Sequence, residues 1–342
     1  MQTNRTEFLA VLKSLLPAVV TNGVIPQTDC FFFNDSEHEI ITYNDEIAIR
    51  TQFDHDIGGA VDAKKLVAVL DRMKDDEVTI ETDENELRVL GKRASSGILL
   101  EREITAPIDK IPTPKNPSSL PDGFTDALLK TAAAAADDMT QPILSAVHIT
   151  PKHLEATDGK RLTRVTIETE LPDETELLLP AKWAKVITDV EPSAFAFDDA
   201  WVHFVSEDVT VSVRLITSDG RFPDCGRIIE SSGGGETLTL PDEMPEMLAR
   251  ASALFDNSDL MPSVTVSVSD KGALKIESKT AHGWTKETKR VKHGGGALEF
   301  CAQPKFLSDM LALSPVITVK GDMLRLDAEN IVHIAMMVKK KV

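Results

Sequence analysis

Val61-Asp-Ala-Lys-Lys-Leu-Val-Ala-Val-Leu70, Leu179-Pro-Ala-Lys-Trp-Ala-Lys-Val-Ile-Thr188 and Cys301-Ala-Gln-Pro-Lys-Phe-Leu-Ser-Asp-Met310 are three versions of one decapeptide. Each reads as a short amphipathic helix, with apolar residues spaced three or four apart. With Ala63, Ala181 and Gln303 in register, the copies lie 118 and 122 residues apart. A near-constant period of that length marks repeated domains. The chain has 342 residues, more than one hydrophobic core usually supports.

Working outward, strands with period-2 alternation follow each copy. They are Glu77-Val-Thr-Ile-Glu-Thr82 with Glu86-Leu-Arg-Val-Leu90, Ala194-Phe-Ala-Phe197 with Trp201-Val-His-Phe-Val205, and Val316-Ile-Thr-Val319 with Met323-Leu-Arg-Leu326. Their short separations predict hairpins. Each third also opens with a predicted helix: Arg5 to Leu16, Phe124 to Ala136, and Pro241 to Leu254, where Pro241 and the acids after it suit a helix start. Two stretches punctuate the chain as linkers, one through Pro112, Pro114, Pro117 and Pro121, the other Ser231-Ser232-Gly233-Gly234-Gly235. The expected domains are 1–115, 122–230 and 236–342. The fold class is α+β, with two helices per domain lying on antiparallel sheets, six short helices in all.

The 55 acidic and 37 basic residues give a formal charge of -18, which by itself argues against a nucleic-acid partner. Where the charges sit matters more. Over the six predicted helices, ten basic residues balance ten acidic ones, so the whole deficit lies elsewhere. If the helices share a surface, that surface is far less negative than the rest and suits a phosphate backbone. The plainer reading is that Lys and Arg are ordinary residues of exposed helices.

Other classes find little support. Cys30, Cys225 and Cys301 form no C-x-x-C pair, so neither a disulfide framework nor a zinc knuckle is signalled, and a reducing cytoplasm is expected. Arg5, Glu7 and Lys13 interrupt the first apolar stretch, and no long uncharged apolar run occurs elsewhere, so a protein neither exported nor membrane-bound is expected. His293-Gly-Gly-Gly296 resembles an esterase oxyanion loop, but no G-x-S-x-G elbow accompanies it. It reads as a glycine-rich hairpin loop between Val291 and Leu298. H-E-x-x-H, a Walker loop and a dinucleotide fingerprint are all missing, so no metal, cofactor or catalytic residue is expected. His148, His153 and His203 read as ordinary strand positions.

Several segments do match a known family. Gln141-Pro-Ile-Leu144 is followed by Leu154-Glu-Ala-Thr-Asp-Gly-Lys-Arg-Leu162, and then Arg214-Leu-Ile-Thr-Ser-Asp-Gly-Arg-Phe-Pro-Asp224, with Cys225 next. These resemble the A-T-D-G-x-R-L and L-(V/I)-D-G-R-F-P-D-Y segments of the bacterial sliding clamp, the beta subunit of DNA polymerase III. Here residues are inserted before Asp219, and Cys225 stands in place of the tyrosine. Asp62 to Leu70 resembles the family's V-P-A-R-K-L helix.

The resemblance implies a head-to-tail homodimer, a ring of six domains whose helices surround duplex DNA without reading its sequence, put in place by a clamp loader. It places Lys64, Lys65, Arg72, Lys182, Lys185 and Lys305 toward the phosphates, and Ile98, Leu99 and Leu254 at the dimer interface. It also implies a cleft that takes a short peptide of the polymerase catalytic subunit or of other DNA enzymes. That cleft would be built from Leu144, Thr157, Gly159, Lys160, Arg161, Leu162, Pro223, Arg227, Ile228, Met336 and Val338, with Arg161 or Arg227 anchoring a peptide carbonyl or carboxylate. The family's Met-Pro-Met-Arg-Leu-like ending is replaced by Ala335-Met-Met-Val-Lys-Lys-Lys-Val342, in which Lys339 to Lys341 read as a solubilising tail. A clamp-like scaffold or decoy that binds the same peptides without encircling DNA is the alternative, and a hydrolase the more distant one.

Overall fold

Alternating apolar residues oblige most of this chain to pair as strands with one face buried, and the computed structural model shows how each repeat does so. It describes residues 1–21, 23–138, 140–217, 220–256, 259 and 261–339. In the first repeat, strand β1 (Gln2–Asn4) precedes helix α1 (Arg5–Leu15). Four strands follow, β2 (Cys30–Asn34), β3 (Glu39–Tyr43), β4 (Ile47–Gln52) and β5 (Gly59–Asp62), then helix α2 (Ala63–Arg72) and strands β6 (Glu77–Asp83), β7 (Glu86–Leu90) and β8 (Ser95–Glu101). The second repeat has the same order: β9 (Ser118–Ser119), α3 (Phe124–Ala132), β10 (Ala146–Ile149), β11 (His153–Thr157), β12 (Arg161–Thr166), β13 (Leu177–Pro180), α4 (Ala184–Asp189), β14 (Ala194–Phe197), β15 (Trp201–Val205) and β16 (Val209–Arg214). After helix α5 (Cys225–Ser231), which has no counterpart, the third runs β17 (Glu236–Thr239), α6 (Met244–Ser252), β18 (Val264–Val268), β19 (Ala273–Thr280), β20 (Gly283–Arg290), β21 (Leu298–Ala302), α7 (Pro304–Leu313), β22 (Val316–Lys320), β23 (Met323–Ala328) and β24 (Ile331–Met336).

Each repeat is two four-stranded halves. In one, the fourth strand returns beside the first, giving the orders β5-β2-β3-β4, β13-β10-β11-β12 and β21-β18-β19-β20. In the other, the leading strand joins the final meander: β1-β6-β7-β8, β9-β14-β15-β16 and β17-β22-β23-β24. All pairings are antiparallel, as the alternation predicts, and the three expected hairpins are present. Repeats also join edge to edge. Strand β4 pairs with β16, Ile47 to Val213 through Thr51 to Val209, and β12 pairs with β24, Arg161 to Ala335 through Val165 to Ile331. Among the described residues, the halves also join in the first repeat alone, β5 to β8. Gly59 permits it: at φ 128°, a Cβ there would lie 2.6 Å from the Glu101 carbonyl oxygen.

The chain divides into two compact units, Met1–Thr125 with Trp183–Thr217, and Asp126–Lys182 with Ser218–Val342. The first holds a twelve-stranded sheet, the second an eight-stranded and a four-stranded one. In the first unit, Phe31, Phe32 and Phe33 of β2 are all buried, so that strand has apolar neighbours on both faces. In the second, Val264, Val266 and Val268 of β18 pack with Met247, Leu248, Leu307 and Met310 of α6 and α7. Each such side chain contributes about 1.5–3 kcal/mol by leaving water.

The three decapeptides are strand-to-helix junctions, not helices throughout. Val61 and Asp62 end β5, Leu179 and Pro180 end β13, and Cys301 and Ala302 end β21. A short helix docked by its apolar side and a strand buried on both faces present the same apolar run, so periodicity did not separate them. Asp62 caps α2, accepting from the Lys65 amide at 2.9 Å, and Pro304 opens α7. Helices α3 and α6 are shorter than expected, and α5 makes a seventh. The glycine-rich segment after Val291 is not a hairpin loop, because it links β20 at one edge of its sheet to β21 at the other.

Buried histidines give this fold an acid limit. His203, bonded to the Ser212 hydroxyl at 2.8 Å, and His333, bonded to Thr163 at 2.8 Å, are both pushed down to about 4 by burial. In the unfolded chain each takes up a proton near 6.5, so unfolding binds protons and stability falls as pH drops from about 6.5 toward 4. Urea midpoints measured across that range are expected to decline, and His333→Leu to flatten the decline.

Candidate functional site

The two sequence motifs meet on one face of the eight-stranded sheet. Thr157 ends β11, Asp158 and Gly159 turn the chain, and Arg161 begins β12. The Asp158 carboxylate accepts from the Lys160 and Arg161 amides at 2.8 and 2.9 Å, and the Thr157 hydroxyl donates to the Arg161 carbonyl at 2.6 Å. Gly159, at φ 81°, takes the left-handed position such a turn requires. Met336 on the neighbouring β24 donates its amide to the Lys160 carbonyl at 2.8 Å, which brings the end of β24 to this turn.

Over the same face runs the Gly220–Ser232 segment, with α5 inside it. Cys225 is buried against Leu162 and Ile334, and Phe222, Ile229, Met323 and Val332 pack around them. Arg325 on β23 holds the far end, donating to the Ile229 carbonyl and the Ser232 hydroxyl at 2.6 and 2.7 Å. This strap covers the sheet incompletely: Ile228 and Met336 remain 41% and 39% exposed. Exposed apolar side chains of this size are available for contact with an apolar partner group.

The eleven expected cleft residues all fall in the second unit, with differing accessibility. Gly159, Lys160 and Arg227 are exposed, Leu144, Pro223 and Val338 half-buried, and Thr157, Arg161 and Leu162 buried. Leu144 sits in the short helical turn Pro142–Ser145 that leads into β10. Val338 lies beyond β24, its amide donating to the Cys301 carbonyl at 2.8 Å. Arg161 is not placed as a peptide anchor. Its guanidinium is bound to Asp158 at 3.0 Å and to Asp309 of α7, and rests 4.8 Å over the Phe306 ring. It ties the turn to α7 from within. Arg227, paired with Asp224 at 3.0 Å, points into solvent and, with Lys160, is an exposed cation of this set. Asp219 of the second motif and Lys340 to Val342 of the tail lie outside the described residues. Sequence reasoning missed Phe222, Met323, Ile229 and Asp309 as parts of this arrangement. Met323 was traceable, since it faces Met336 once the β23–β24 register is known.

The helix residues expected to face DNA are exposed, and several are engaged. Lys64 donates to the Thr21 hydroxyl at 2.5 Å, Lys65 pairs with Asp62 at 2.8 Å, Lys185 with Asp189 at 2.8 Å and Lys305 with Asp309 at 3.5 Å. Arg72 and Lys182 are exposed. The observed helix ends leave Asp62, Asp137, Asp242 and Glu243 outside. The repeat helices, with the Ala181–Trp183 turn that opens α4, therefore carry ten basic against six acidic residues, a net +4 where balance was expected. Of the residues expected at a dimer contact, Ile98 is buried on β8, Leu99 beside it is 65% exposed, and Leu254 is half-buried just after α6. Trp284 on β20, unforeseen, is 71% exposed.

Against solved structures, the whole chain superposes on DNA polymerase III beta subunits. The sliding clamp of Bartonella birtlesii, solved bound to griselimycin, matches with a TM-score of 0.86 at 16% identity over 99% of each chain. The chain has the sliding-clamp fold. The beta subunit of Streptococcus pyogenes DNA polymerase matches at 0.82 and 19% identity over 99% of each chain, and that of Pseudomonas aeruginosa at 0.81 and 17% over 99% of this chain and 100% of that one. No family model matches the chain, and no curated protein matches it by sequence. The clamp fold is thus retained with most of the side chains changed. Among the described residues, no helix is long and apolar enough to cross a membrane.

The Arg161 geometry gives a direct test. Asp309 is one of two carboxylates on the buried Arg161 guanidinium, so its removal leaves that charge with Asp158 alone, a loss of about 1.5–3 kcal/mol for a hydrogen bond to a charged group. Asp309→Ala is therefore expected to lower the urea midpoint substantially, and Arg227→Ala, at an exposed pair, to leave it nearly unchanged.

Proposed function

We propose that this protein is a DNA sliding clamp, a non-enzymatic ring subunit that encircles duplex DNA in the cytoplasm and tethers a polymerase catalytic subunit through the cleft. The observation that carries the proposal is the rule by which repeats join. The third strand of one repeat's first half pairs with the last strand of the next repeat, β4 with β16 and β12 with β24. Applied once more, the rule calls for a partner for β20, an edge strand, and offers β8, whose Ser95–Leu99 portion pairs on one side only. Within one chain both remain open among the described residues. A second chain satisfies both at once through two identical contacts, closing a ring of six repeats, with domains at 1–115, 122–230 and 236–342.

The surfaces suit this closure. Leu99 and Trp284 are exposed on the two strands concerned. A groove of about 1330 Å³, with Lys65, Val69 and Arg72 of α2 on one side and Gly97, Ile98 and Leu99 of β8 on the other, is open beside β8. The helices, net positive in a chain of charge -18, provide a mild potential for phosphates and no base-reading contacts, which suits a ring that slides. A clamp loader is the partner that such a closed ring requires in order to be placed on DNA.

The clamp reading differs from a peptide-binding decoy in one measurement. Loaded onto nicked circular duplex by a clamp loader, the protein is expected to stay bound and to be shed when the circle is cut; no topological retention would sink the DNA reading. Removing a buried aromatic anchor typically weakens an interface by about 2 kcal/mol or more, some 30-fold. Trp284→Ala and Leu99→Glu are thus expected to shift the dimer toward monomer by light scattering. Ile228→Ser with Met336→Ser is expected to weaken a fluorescent peptide carrying Leu and Phe anchors at least tenfold while leaving the dimer intact.

A further inference from the structure

A row of charged side chains crosses three strands beneath the strap. His148 on β10 is the register partner of Glu155 on β11, and Glu155 that of Arg164 on β12. His148 Nδ1 lies 3.0 Å from one Glu155 oxygen, and Nε2 lies 2.7 Å from Glu176, just before β13. Arg164 holds the other Glu155 oxygen through Nη2 and Nε at 2.6 and 2.8 Å, and His153 on β11 approaches that oxygen at 3.6 Å. An imidazole bonded to carboxylates through both nitrogens must donate from both, and only the protonated ring has two N–H groups. Burial of His148 works against its charge, but the hydrogen bonds and charges of Glu155 and Glu176 outweigh it and hold the histidine above its ordinary value.

Phe222 lies on this ring, centroids 4.7 Å apart and planes 29° from parallel. The face of an aromatic ring attracts a cation. Phe222 is also the side chain from which the strap proceeds to Pro223, Arg227 and Ile228. The strap brings two further titratable groups near, Asp224, paired with Arg227, and the Cys225 thiol, which burial pushes up to about 12 and so keeps neutral. Among the described residues no group of three His, Cys, Asp or Glu side chains is arranged to hold a metal, and both His148 nitrogens are already occupied by carboxylates.

We propose that the His148 imidazolium is a positioning residue: by donating to Glu155 and Glu176 it fixes the ring plane on which Phe222 seats, and so sets the strap that carries the cleft residues. This rests on reading the cleft as the partner site. When the proton leaves, one N–H remains. Glu155 keeps Arg164, and Glu176, 73% exposed, is taken up by water. The ring then loses its second anchor and its charge toward Phe222 together. The seated strap is fully favoured below about 6.5, the unfolded histidine's value, and that contribution is lost as pH rises through the raised value of His148.

The test uses the full-length protein, the fluorescent peptide with Leu and Phe anchors, and site-resolved alkylation of Cys225, which the strap buries. Between pH 6 and 9, wild-type affinity is expected to fall about tenfold as the proton is lost, while His148→Gln binds weakly with no such slope. Cys225 should alkylate faster in His148→Gln than in wild type at pH 6 to 7, with the difference closing by pH 9. Phe222→Leu should also lose the slope, although its His148 still titrates by NMR. Parallel pH profiles and equal Cys225 rates in wild type and both variants would overturn the proposal. Divergent Cys225 rates with no peptide bound at any pH would support the latch and sink the cleft reading instead.

Discussion

Backbone pairing at strand edges is the constraint on which the rest depends. A four-stranded half leaves two rows of amide and carbonyl groups without partners, and such rows invite any strand that can reach them. The first repeat joins its own halves through β5 and β8. The second and third do not, and their order is instead set by β4 with β16 and β12 with β24. Each join buries ladder bonds and apolar side chains together, so a repeat is not an independent domain whose neighbours could be exchanged freely. Two compact units, each divided in sequence, are what results when three repeats share sheets in this way.

Much of this was legible in the sequence because strand alternation and short turns are local signals. The hairpins at 77–90, 194–205 and 316–328 needed only period 2 and a turn of a few residues. Helix boundaries were less legible, since a buried strand running straight into a helix leaves one unbroken apolar stretch at Val61, Leu179 and Cys301. Helix α5 went unseen because its seven residues, Gly226 among them, are too few to display a period. At the candidate site the turn was readable and its wiring was not. Arg161 next to Asp-Gly reads as a surface cation, and the residue that buries it, Asp309, is 148 positions away. Phe222 likewise looks like an ordinary motif residue until His148 is found against it.

The charge pattern shows how a distant sequence keeps a shared architecture. At 16–19% identity the chain shares the fold of the superposed clamps, which rests on backbone sterics and hydrogen bonding more than on particular side chains. Surface charge is free of that control. The repeat helices are mildly positive in a chain whose formal charge is -18, and Asp62 serves both as a helix cap and as partner to Lys65.

Under the proposed ring closure, the edges β8 and β20 would also make the molecule bifunctional in the polymer chemist's sense, with two unlike ends, each complementary to the other. Such a monomer either cyclises or grows without limit, and the rotation between successive units decides which. The charged side chains along β20, Lys286, Glu287, Lys289 and Arg290, act on a different choice, that of partner. They discourage pairing with strands that do not match, while ring and filament would use the same two edges, so under the proposed closure the rotation alone would separate them.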